Sequence, residues 1–273
     1  MELTDSIYKF AETIDNTPYF SSKKTVWRIN SDGELKQEPP ETFMNMGGSQ
    51  TSFTFIALLL YFDVLDGLID QNNPDLIGEN FTHKYQKMKK VDPFQHILGE
   101  VFRIFLILRN TFTHNKTHLN NFLSISYTVR GRNIELKIGD TPFYYLVTMI
   151  KMIYFISKNN SYYEKCILFN HFKIFITMSD FKINDQFGNK VFDVDVPFSF
   201  FTNERYQYET KKFHITEEKI IIEKILHQKC IKDNEIGFDY IIKYNGNEYI
   251  VPEEALTPSF EMALDQFELW KIC

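Results

Sequence analysis

The sequence predicts an α+β fold that is predominantly helical. Three observations carry this. Two long segments, from about Thr51 to Ile69 and from Phe94 to Leu108, hold apolar residues at helical spacing. Two turns, Arg130-Gly131-Arg132-Asn133 and Asn245-Gly246, each join a pair of short β-type runs. The 273-residue composition, 44% hydrophobic and 24% charged, is that of an ordinary folded chain.

Taken in order, residues 1–50 read as an N-terminal arm with one short hairpin. Its strands are Val26 to Ile29 and Leu35 onward, around an Asp32-Gly33 turn. Pro39-Pro40 ends it, and Gly47-Gly48-Ser49 leads to the next element. Residues 51–158 read as a helical domain with an inserted hairpin. Its first helix holds Phe55, Ile56, Leu59, Leu60, Leu65, Leu68 and Ile69, and stops at Asn72-Asn73-Pro74. Asp63, Asp66 and Asp70 share one face of that helix.

Asp92-Pro93 opens the second helix, with aspartate as cap and proline at the first helical position. This helix is apolar almost all round, which implies deep burial. A hairpin from Phe122 to Ile138 follows, then helices over about Thr141–Ser157 and Ser161–Met178. Residues 159–273 read as a C-terminal α/β region. In it Lys190 to Phe200 alternates like a strand, and Thr216-Glu217-Glu218 opens a helix to about Ile231. A hairpin over Phe238–Val251 and a helix over Ser259–Lys271 complete the chain.

The charge is unevenly placed. The net −6 divides into −8 over residues 1–82, +7 over 83–137 and −5 over 138–273. Four of the seven histidines, His83, His96, His114 and His118, fall in the basic segment. Such asymmetry points to a polyanion partner or to a basic face balanced within the fold. No apolar run approaches the length of a membrane span, so no membrane partner is expected. The acidic N-terminus does not read as a signal peptide. Cys166, Cys230 and Cys273 match no metal spacing, which fits a reduced, cytoplasmic setting. Phosphate-binding glycine loops, dinucleotide fingerprints and nucleophile elbows are all absent.

One motif carries chemistry. Arg109 and His114 form an R-x4-H pair with Asn110 directly after the arginine, at the end of the most apolar helix. Histidine can serve as general acid or base near neutral pH, and arginine offers a permanent planar cation to phosphate. Asn110 and His114 are i, i+4 and share a helix face. Arg109 and His114 lie about 140° apart on an ideal helix. The arginine must therefore reach round, the helix must break near Thr111-Phe112-Thr113, or a second copy must supply the arginine. The competing reading makes Arg109 a neutraliser of the helix C-terminus and His114 an ordinary satisfied histidine.

In these residues the chain resembles the HEPN superfamily. The resemblance implies a HEPN-like helical bundle, here decorated with β-hairpins and a C-terminal α/β extension. It implies a metal-independent endoribonuclease needing no cofactor, acting as a homodimer and serving as a toxin or phage-defence effector. A possible antitoxin or regulatory protein partner, and RNA as substrate, come with it. Arg109, Asn110 and His114 are the catalytic candidates. Lys116, His118, Arg130, Arg132 and Arg103 are the RNA-binding candidates. A non-catalytic RNA- or nucleotide-binding module, or an interaction protein, is the alternative. His114 and His118 also make an H-x3-H spacing for zinc, but no third ligand stands near them and no metal is expected. The three aspartates could hold two metals, but no partner cluster supports that, and a solvent face or ion pairing with the basic segment is expected instead.

Overall fold

The computed structural model describes residues 2–14, 26–29, 35–38, 52–114, 124–196, 198–199, 204–223 and 236–272. Among these the chain is α+β, with seven α-helices and eleven strands. It divides into two compact units that interleave along the sequence. The first holds residues 1–20, 44–158 and 171–195; the second holds 21–43, 159–170 and 196–273. This division departs from three consecutive segments. The N-terminal hairpin belongs with the C-terminal strands, and residues 171–195 belong with the helices.

In the first unit, α1 (Glu2–Ile14) and α4 (Pro93–Thr113) both pack against α2 (Ser52–Asn72). Helix α1 buries Thr4, Tyr8 and Ala11, an i, i+4, i+7 stripe that the sequence reading missed. Tyr8 stacks on Tyr154, whose hydroxyl donates to Asp5 at 3.0 Å. Tyr154 lies on α5 (Asp140–Asn159). Helix α4 begins as expected, with the Asp92 carboxylate accepting from the Gln95 N–H at 2.8 Å. Residues 97–108 of α4 are buried without exception. Phe62 on α2 stacks on Phe102 and meets Phe81 edge-on. Phe81 opens the short helix α3 (Phe81–Lys87).

Lys84 on α3 is buried between Asp66 and Asp70, at 2.8 and 2.7 Å. Two of the three aligned aspartates thus serve the basic segment as ion-pair partners. A three-stranded antiparallel sheet completes this unit, in the order β3 (Ser124–Val129), β4 (Arg132–Ile138), β5 (Phe181–Asn184). Residues 171–177 of α6 (Tyr162–Thr177) also belong to it.

The second unit holds a five-stranded sheet in the order β10-β9-β6-β1-β2. Its members are β1 (Val26–Ile29), β2 (Leu35–Glu38), β6 (Glu204–Thr210), β9 (Ile236–Tyr244) and β10 (Asn247–Pro252). The two hairpins pair antiparallel within themselves, while β6 runs parallel to both β1 and β9. The Asn245-Gly246 turn has φ of 49° and 75°, as a two-residue hairpin requires. A smaller antiparallel sheet joins β7 (Phe213–Ile215), β8 (Lys219–Ile222) and β11 (Glu261–Ala263).

Three expectations for this half are corrected. Thr216-Glu217-Glu218 does not open a helix. Those residues form the turn between β7 and β8, and the β-branched run Ile220-Ile221-Ile222 pairs as strand. Residues 191–196 form no ladder; their backbone makes no strand pairing. Phe192 stacks on His96, Asp193 pairs with Lys173 and Val194 is buried. The C-terminal segment gives β11 and a single short helix, α7 (Leu264–Glu268), rather than one helix from Ser259. The Asp32-Gly33 turn, Pro39-Pro40, Gly47-Gly48-Ser49, Cys230 and Cys273 lie outside the described residues.

At the centre of the second unit, Arg205 on β6 is buried against Asp239 on β9 and against Glu254. Tyr163 donates to the same Asp239 carboxylate at 2.7 Å. Arg205 stands in register beside Gly237, and a Cβ there would overlap its guanidinium. We therefore expect Gly237→Ala to cost about 1–3 kcal/mol by overpacking, read as a lower urea midpoint for the second unit. Burial pushes the Cys166 thiol up to about 12. Alkylation of native protein at pH 8, mapped by mass spectrometry, is expected to leave Cys166 unmodified until the chain is unfolded.

Candidate functional site

The last turn of α4 carries the motif. The helix continues unbroken to Thr113, and the His114 N–H donates to the Asn110 carbonyl at 3.2 Å. With no break, the roughly 140° between Arg109 and His114 persists, and the two side chains face different neighbours. The Arg109 guanidinium lies 4.7 Å from the Phe81 ring centre and 5.5 Å from that of Phe62. It also donates to Asn110 Oδ1 at 3.4 Å, a long bond. Burial raises the pKa of Asp63, and the charge of Arg109 opposes that shift. Arg109 thus faces the α2–α3 side.

Asn110 and His114 line a cleft of about 860 Å³. The opposite wall is the β3–β4 hairpin. Tyr127 pairs across the hairpin with Ile134, and Val129 with Arg132. Two-residue alternation puts these four on one face, and all four line the cleft. Nearer the base of the hairpin, Ile125, Leu136 and Ile138 continue that face into the core. Burial pushes the Tyr127 phenol up, opposed by a hydrogen bond with Thr111.

The hairpin tip is the two-residue turn Arg130-Gly131, with φ of 49° and 75°. Asparagine, aspartate or glycine normally takes the first of these positions, because other side chains crowd the backbone there. Here an arginine occupies it and lines the cleft beside Arg132. Neither arginine, nor His114, has a side-chain hydrogen bond or ion pair among the described residues. Of the sequence candidates, Asn110, His114, Arg130 and Arg132 line this one cleft, and Arg109 is not among its lining residues.

Arg103 is corrected. It is only 2% exposed, and its five N–H groups are all used. Two reach the Asp185 carboxylate at 2.9 and 2.7 Å, and others reach Glu100 and the Gly188 and Lys190 carbonyls. Burial disfavours its charge, but Asp185 and Glu100 more than offset this and raise its pKa. An RNA phosphate has no access to it. Its position three residues from Glu100, inside an otherwise apolar helix, was the signal for a buried pair. Lys116 and His118 lie outside the described residues. No cluster of His, Cys, Asp and Glu suited to a metal occurs among the described residues.

The cleft also contains residues that sequence reading missed. Thr82 comes from α3 and Gln186 from the turn after β5. Gln186 is 76 positions from Asn110, so no local pattern could have joined them. Asp185 and Gly188 bridge across that turn, and the Phe187 N–H donates to Asp185 Oδ1 at 2.8 Å. Arg103 therefore anchors one wall of the cleft from inside the core. Arg103→Ala would leave Asp185 and Glu100 buried without their cation. An expected loss of about 3–5 kcal/mol, measured by urea unfolding of the first unit, follows.

No helix among the described residues is long and apolar enough to cross a membrane. No protein-family profile, curated protein or solved structure matches the chain, so the use of the cleft is read from its own residues.

Proposed function

We propose that this protein is a metal-independent endoribonuclease of the HEPN type. The single observation behind this reading is that Asn110 and His114 open onto the same cleft as two arginines, Arg130 and Arg132, that have no side-chain hydrogen bond or ion pair among the described residues. A phosphodiester seated between them would meet the three requirements of RNA cleavage without a metal. His114 takes the proton of the ribose 2′-OH as that oxygen attacks, and passes it to the 5′-oxygen as that oxygen leaves. The 2′-oxygen attacks phosphorus and the bond to the 5′-oxygen breaks, leaving a 2′,3′-cyclic phosphate and a 5′-hydroxyl. Arg130 and Arg132 supply positive charge to the phosphorane oxygens.

Asn110 orients the histidine or the phosphate. Arg109 contributes through Asn110 within one chain, and in a homodimer it would approach the partner's cleft. A cytoplasmic toxin or defence role, with an antitoxin-like or regulatory partner, belongs to this proposal through the HEPN resemblance. One observation favours a second reading, an RNA-binding module without chemistry: the Arg109 guanidinium lies over the Phe62 and Phe81 rings and is not among the residues lining the cleft.

The test is incubation with single-stranded RNA in EDTA. Products with cyclic phosphate ends are expected, and His114→Ala should lower the rate at least about 100-fold. Arg132→Ala should weaken RNA binding and reduce the salt slope by about one. Tight, salt-sensitive binding with no product would select the non-catalytic reading. Cleavage that survives both His114→Ala and Arg109→Ala would overturn the enzymatic one.

A further inference from the structure

The cleft is larger and more mixed than a phosphate needs. A phosphate group asks only for cations and N–H donors. Yet the hairpin face also places Tyr127, Val129 and Ile134 in the cleft wall, and Val129 is 39% exposed. Tyr127 is half-buried in this wall and brings an aromatic ring to the cleft. Beside these lies Gln186, exposed and with no side-chain hydrogen bond among the described residues. A primary amide carries two donors and an acceptor, the pattern that matches the edge of a nucleobase.

The backbone that carries Gln186 is held from inside the core. Its neighbour Asp185 takes two hydrogen bonds from buried Arg103. Two residues on, the Gly188 carbonyl takes a third at 2.6 Å. Phe187, on its other side, packs its ring 4.4 Å from that of Tyr85. The backbone on both sides of Gln186 is therefore fixed before any ligand arrives. Preorganisation of this kind lowers the ordering cost of a hydrogen bond made to a ligand.

We infer that Tyr127 and Gln186 form a nucleobase subsite next to the Arg130–Arg132 phosphate site, with Gln186 reading the base edge. The inference rests on the cleft being an RNA site. It names the ligand as an unpaired base of single-stranded RNA, since a base within a duplex has its face stacked and its Watson–Crick edge paired, leaving neither for Tyr127 and Gln186. The arginines would then hold the chain without regard to sequence, while Gln186 sets the preference.

Fluorescence anisotropy with single-stranded oligo-A, oligo-C and oligo-U, and with an RNA duplex, tests this in the whole protein. Wild type should bind one oligomer at least about five-fold more tightly than the others, within the range of one amide–base contact. It should also bind that oligomer more tightly than the duplex. Gln186→Ala should bring the three single strands within about two-fold of one another. Tyr127→Leu should weaken all three about five-fold or more. A base preference that persists in Gln186→Ala, or equal affinity for the duplex, overturns the subsite alone. An absence of RNA binding, or binding that Arg130→Ala and Arg132→Ala leave unchanged, overturns the RNA reading of the cleft and the subsite with it.

Discussion

The buried pairing of Arg103 with Asp185 is the interaction on which the first unit depends. A guanidinium inside a helix that is otherwise buried and apolar is tolerable only if every N–H finds a partner. Here one partner is Glu100 on the same helix, and the others come from residues 185–190, more than eighty positions away along the chain. That demand ties the turn at 185–188 to the middle of α4. The same helix and its cap, seven to eleven residues further on, deliver Asn110 and His114 to the cleft. The ion pair therefore joins the two walls that carry the histidine and the glutamine.

The second unit solves a similar problem with Arg205, Asp239, Glu254 and Tyr163. In both units the buried cation is saturated by carboxylates and carbonyls, which makes it structural. The contrast with Arg130 and Arg132 is physical. These two project from a hairpin tip, carry no partner among the described residues, and one of them occupies a strained left-handed position. Uncompensated charge beside a histidine, in a concave site, is what an anionic ligand would complete. The +7 of the central segment thus has two fates. Lys84 and Arg103 are consumed in the core, and Arg130 and Arg132 remain available.

Legibility in the sequence followed the range of the interactions. The cap of α4, the stop of α2 at Asn72 and the turn at Asn245-Gly246 depend on neighbours a few residues apart, and each was readable. Helix α1 was missed because its buried stripe begins with a threonine and carries two exposed apolar residues, Leu3 and Phe10. The 216–222 segment misled because two acids before an apolar run resemble a helix start. The isoleucines instead satisfied a strand ladder whose partners lie at 213–215 and 261–263.

The motif itself shows the same boundary. Sequence alone determined that Arg109, Asn110 and His114 sit at the end of a buried helix, and that Asn110 and His114 share a face, because helical periodicity requires it. It determined that two arginines cap a nearby hairpin, because a glycine turn separates two alternating runs. Only the tertiary structure decided that the hairpin folds over the histidine and that Arg109 turns to the aromatic side. It alone decided that Arg103 is spent in the core and that Gln186 completes the wall. Each of these depends on contacts between residues far apart in the chain, and burial and charge pairing select those contacts only when the whole unit has assembled.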